Sequence, residues 1–150
     1  MTIKSNADIL NSDDFAPLAK HRAFKGVLAH DQLTHKIGKN EFGVINLDVS
    51  TGPGTHWTAY FNSPKHKDVY YYDSFGVQPD ERTTKFLETS GKKVAYNTSQ
   101  MQNVMSQKCG HYVATWLNNM LTGMTFYDSL YKNFDQAPSE HNEKIVKQKH

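Results

Sequence analysis

The chain has 150 residues, with 17 basic and 15 acidic side chains, one cysteine and a formal net charge of +2 at pH 7. That length fits one domain with a single real core, and a lone cysteine excludes an internal disulfide framework. The small charge makes no case by itself for nucleic acid. No apolar run reads as a signal peptide or membrane span. The eight histidines are scattered without paired ligands at zinc spacing, so neither a metal nor a cofactor is expected.

In chain order, residues 1–12 are polar, with a short helix expected at 6–10. Ser12, Asp13 and Asp14 offer caps for a second short helix at 15–20, where Pro17 belongs in the first turn. Residues 23–30 are weakly apolar and read as helix or loop. A turn at 38–40 leads into 43–49, which alternates as a strand with Ile45, Leu47 and Val49 on one side. The breaker cluster at 50–54 makes a tight turn. Two aromatic runs, 56–61 and 68–73, then form a hairpin around the polar loop 62–67. Pro79, Asp80 and Glu81 open a helix that runs to about Ser90, where Gly91 stops it. Residues 92–97 read as another strand.

Beyond it, Val113, Trp116, Leu117, Met120, Leu121 and Met124 recur at spacings of three and four, the apolar face of a buried helix. This helix starts at Cys109 and ends before Gly123. A last helix at 125–134 carries Phe126, Leu130 and Phe134 on one stripe. Residues 1–134 thus read as one domain, and 135–150 as a polar, mobile tail.

Cys109 sits at the first turn of its helix. Unpaired backbone N–H groups and the positive dipole end stabilise an anion there, which lowers a thiol's pKa and makes thiolate, the nucleophilic form. A thiolate needs a base in hydrogen-bond reach, and the base needs a group to orient it. If the hairpin loop is centred between Pro64 and Lys65, His56 and Asp73 stand directly opposite on one face, able to share a hydrogen bond. A slip of one residue would separate them. Each residue also has a plainer reading. Cys109 reads as a small buried hydrophobe, His56 as a strand histidine, residues 73–76 as an Asx turn and Gln102 as a solvent-facing loop residue.

The order Gly54-Thr55-His56-Trp57, Tyr72-Asp73-Ser74-Phe75-Gly76, then Gln102 followed by Lys108-Cys109-Gly110 resembles the adenovirus maturation protease and its relatives. Those relatives include SUMO-deconjugating proteases and capsid-maturation proteases of virophages. The resemblance covers residues 43–121 and implies a papain-like α+β fold, a mixed sheet of about five strands with helices packed on it. It implies a cysteine endopeptidase with His56 as general base, Asp73 as orienting acid and Cys109 as nucleophile. Gln102 and the Cys109 N–H would form the oxyanion hole, with Trp57 and Gly110 at the substrate; Trp57 as plain core packing is the equal alternative.

By the same resemblance the substrates are capsid or other virion precursors cut next to glycine, in the virion and in the cytoplasm or virus factory of the host cell. A deconjugating protease for a ubiquitin-like modifier and a catalytically silent binding module on the same fold are the alternatives. The acid is Asp, as in SUMO proteases, where adenovirus enzymes use Glu. The single cysteine rules out a disulfide-linked activating peptide, and Lys144, Lys147 and Lys149 offer at most weak contact with nucleic acid.

Overall fold

The computed structural model describes residues 15–47, 56–102, 109–131 and 142. The expected helix at 6–10, the breaker cluster at 50–54 and most of the tail lie outside the described residues. Among those described, five strands form one sheet in chain order: β1 (Phe24–Ala29), β2 (Glu41–Asn46), β3 (Trp57–Asn62), β4 (Val69–Tyr72) and β5 (Val94–Tyr96). The outer pairs β1–β2 and β4–β5 are parallel, and the inner pairs β2–β3 and β3–β4 are antiparallel. Helices α1 (Ala16–Ala19), α2 (Glu81–Glu88), α3 (Cys109–Leu121) and α4 (Phe126–Tyr131) complete the α+β architecture.

Two apolar clusters hold the sheet between helices. On one face Phe42, Val44, Ala59 and Tyr72 pack with Val113, Trp116 and Leu117 of α3. On the other, Ile45, Tyr60, Val69 and Tyr71 pack with Phe86 and Leu87 of α2. All residues of β2, β3 and β4 are therefore buried. The strand expected at 43–49 is β2, and α2 covers its second face; residues 48 and 49 lie outside the described residues.

Local signals explain most element ends. The Asp80 carboxylate accepts the Thr83 N–H at 2.8 Å and caps α2, and Gly91 follows it at φ +77°. Gly123 takes φ +96° just past α3, the left-handed conformation that ends helices at little steric cost to glycine. Helix α1 has Phe15 at its N-cap, which offers no side-chain cap, and the candidate caps Ser12, Asp13 and Asp14 lie outside the described residues. One expectation needs correction. Residues 23–30, read as helix or loop, hold β1. Its pairing with β2 shifts register between Phe24 and Val27, around Gly26 at φ +82°, and this irregularity erases the alternation a strand is recognised by.

Glu41 opens β2 with its side chain only 3% exposed. Its carboxylate accepts from the Tyr60 hydroxyl at 2.6 Å, His35 Nε2 at 2.7 Å and the Gly38 N–H at 2.9 Å. Burial alone would raise its pKa, but the bonds from Gly38, His35 and Tyr60 outweigh it and hold the carboxyl below the ordinary value. A depressed folded-state pKa stabilises the fold above the unfolded value and is lost as pH falls through the folded one. Glu41→Gln should therefore lower Tm at neutral pH. Its deficit relative to wild type should shrink as acid titration passes below the usual carboxylate range; a deficit independent of pH would contradict this.

Candidate active site

The hairpin of β3 and β4 carries His56 just before its first strand and Asp73 just after its second. The observed pairs are Ala59–Tyr72, Tyr60–Tyr71 and Phe61–Tyr70, two residues displaced from the expected register. His56 and Asp73 are therefore not directly opposite, and extending the ladder sets Phe75 against His56. A displacement of two keeps both side chains on the same face, since strand faces alternate with period two. The imidazole reaches diagonally to Asp73, with Nε2 2.8 Å from Oδ1, and the Phe75 ring stacks on it at 4.7 Å between centroids. The His56 side chain is 15% exposed and that of Asp73 is 2% exposed, so the pair lies at the floor of its site.

Asp73 is held through its carboxylate, its N–H and its carbonyl. Its Oδ1 also accepts the Phe75 N–H at 2.8 Å, and its carbonyl accepts the Gly76 N–H at 2.8 Å, which is the Asx turn expected at 73–76. The buried Asn97 side chain clamps the Asp73 backbone: Oδ1 accepts its N–H at 3.0 Å and Nδ2 donates to its carbonyl at 2.7 Å. Asn97 was not singled out by sequence, since an asparagine ending a strand is an ordinary turn residue.

Ser74 ties this turn to Gln102. Its carbonyl accepts the Met101 N–H at 2.8 Å and the Gln102 N–H at 3.0 Å. Its hydroxyl donates to Gln102 Oε1, which assigns the oxygen end of that amide and aims the NH2 end away from Ser74. Gln102 is fully buried, not the solvent-facing loop residue of the plainer reading. Gly76 takes φ +73° where a Cβ would lie 2.7 Å from the Thr98 carbonyl oxygen and 2.9 Å from the Gln100 nitrogen. Backbone from the two turns thus meets where only glycine fits.

Cys109 is the first residue of α3, as expected, and α3 packs against β3. One turn on, the Tyr112 hydroxyl donates to the Met101 carbonyl at 3.5 Å. Two turns on, Trp116 stacks on Tyr72, the residue before Asp73, at 5.2 Å and 7°. The start of α3 is thereby tied both to the Gln102 segment and to the strand that ends in Asp73. Trp57 is 2% exposed within the core beneath α3, and Gly110 is buried in the first turn of α3. Among the described residues no three His, Cys, Asp or Glu side chains are grouped to hold a metal ion. The arrangement offers an imidazole oriented by a buried carboxylate, an aimed amide and a helix start bearing a thiol residue. Gly76→Ala should destabilise the chain by about 1–3 kcal/mol through the strained φ and the backbone clash; chemical denaturation giving an unchanged unfolding free energy would contradict that packing.

No protein-family model matches the chain. Over 104 residues it is 32% identical to the R355 protein of Acanthamoeba polyphaga mimivirus, named as a thiol protease, covering 60% of this chain and 32% of that one. Over 99 residues it is 27% identical to the cysteine protease S273R of African swine fever virus, covering 58% of this chain and 36% of the relative. The chain thus spans about a third of the length of these two relatives. The crystal structure of the African swine fever virus pS273R protease superposes with a TM-score of 0.56 at 21% identity, covering 72% of this chain and 43% of that one. The chain has the fold of that protease, and its sequence is similar to viral cysteine proteases.

Proposed function

We propose that the chain is a cysteine endopeptidase domain of viral type. The observation that carries this reading is the His56–Asp73 pair, 2.8 Å apart, at the end of a hairpin that is tied to the Gln102 segment through Ser74 and packed on the helix that starts at Cys109. The similarity to two viral cysteine proteases supports it. Asp73 engages Nε2, so Nδ1 is the nitrogen that takes the thiol proton. The carboxylate holds that tautomer and stabilises the imidazolium that results. The thiolate of Cys109, favoured by the helix start, attacks the peptide carbonyl carbon.

Negative charge then grows on the carbonyl oxygen. The Gln102 NH2, turned by Ser74, and the Cys109 N–H are the donors that receive it. The imidazolium returns its proton to the leaving amine as the C–N bond breaks. Water, deprotonated by His56, then releases the acyl group and restores the thiol. Virion precursor proteins cut next to glycine are the proposed substrates, supported by the viral origin of both relatives.

Cys109→Ala should abolish cleavage of candidate capsid precursors, read by mass spectrometry of new termini, while Tm stays within a few degrees of wild type. Turnover by the purified variant would sink the nucleophile assignment. Gln102→Ala should lower kcat by about 10²–10³ through loss of one oxyanion donor, and an undiminished kcat would reject that role.

A further inference from the structure

Asn142 lies beyond α4 in a segment read from sequence as a solvated tail, yet it is fully buried. Its Nδ2 donates to the Met101 carbonyl at 3.1 Å. That carbonyl also accepts from the Tyr112 hydroxyl at 3.5 Å, and Met101 is itself fully buried. On the opposite edge of the same peptide unit, the Gln102 N–H donates to the Ser74 carbonyl at 3.0 Å. A peptide unit is planar, so fixing its oxygen and its hydrogen fixes the plane and the direction in which the next Cα leaves it. That next Cα belongs to Gln102.

We propose that Asn142 is a positioning residue for the Gln102 amide, holding the Met101 carbonyl that precedes it. The inference rests on Gln102 being the oxyanion donor. Three groups from distant parts of the chain share the task. Ser74 holds the N–H side and the amide oxygen, while Asn142 and Tyr112 hold the carbonyl side. Of the two on the carbonyl side, Asn142 has the shorter bond. Without it the Met101–Gln102 peptide keeps its Ser74 hinge and gains freedom to rotate about it, moving the NH2 off the oxyanion while leaving the thiol and imidazole where they were.

The test uses the full chain. Asn142→Leu keeps the side chain's approximate bulk and removes the donor. Asn142→Asp keeps its shape and sets an acceptor against the carbonyl. Each should lower kcat by about 3–10-fold, the worth of one buried hydrogen bond, with KM within twofold. Alkylation of Cys109 by iodoacetamide, a displacement that forms no oxyanion, should keep its wild-type rate and pH profile in any variant that folds. In a Gln102→Ala background the same substitutions should change kcat by less than twofold, since the amide they position is gone. Wild-type kcat in both variants, or an undiminished loss in the Gln102→Ala background, would overturn the proposal. A Gln102→Ala single variant with wild-type kcat would instead overturn the oxyanion assignment on which it rests.

Discussion

The Asp73 carboxylate is the constraint around which the site is arranged. A charged group 2% exposed is costly unless donors surround it, and here the donors come from the groups the chemistry needs in place. His56 and the Phe75 N–H occupy its Oδ1, and Asn97 fixes the backbone that carries it. The next residue, Ser74, uses its carbonyl and its hydroxyl to hold Met101 and Gln102. Residues 73–76 therefore hold both His56, the proposed base, and Gln102, the proposed oxyanion donor. Gly76 closes the turn where a side chain would strike the backbone before Gln102.

The turn is rigid because of what lies below it. Tyr72 immediately precedes Asp73 and stacks flat on Trp116, while Trp57 immediately follows His56 and lies in the same core beneath α3. Both residues of the dyad are thus anchored one position away by large buried rings, which hold side-chain geometry more tightly than a loop would. With both faces of β3 and β4 buried, neither strand can slide without moving its aromatic partners. The helix that starts at Cys109 is part of that same packed layer.

The strands of the hairpin, α2 and α3 were legible from sequence because their signals are local: runs of aromatics, an acidic helix start at Asp80 and Glu81, apolar spacings of three and four along α3 and the glycines after both helices. The dyad was legible through face parity, although the register was misplaced by two residues. The polar loop is not centred at Pro64 and Lys65, and an even error leaves the faces unchanged. Strand β1 escaped notice because its pairing shift and Gly26 interrupt the pattern. Asn97, Ser74 and Asn142 escaped because their partners lie 24, 28 and 41 positions away in the chain. No local spacing announces a polar residue whose work is to hold a distant backbone, and only the fold brings such pairs together.

The account turns on one coupling: a carboxylate at the hairpin end governs the reactivity of a thiol at a helix start. The pH dependence of Cys109 alkylation by iodoacetamide, compared between wild type and Asp73→Asn, measures it directly. In wild type the midpoint should lie well below the ordinary thiol value of about 8.5. Asp73→Asn should move it back toward that value, because the imidazolium that stabilises the thiolate has lost its acidic partner. Superimposable profiles in the two proteins, both folded, would contradict the account.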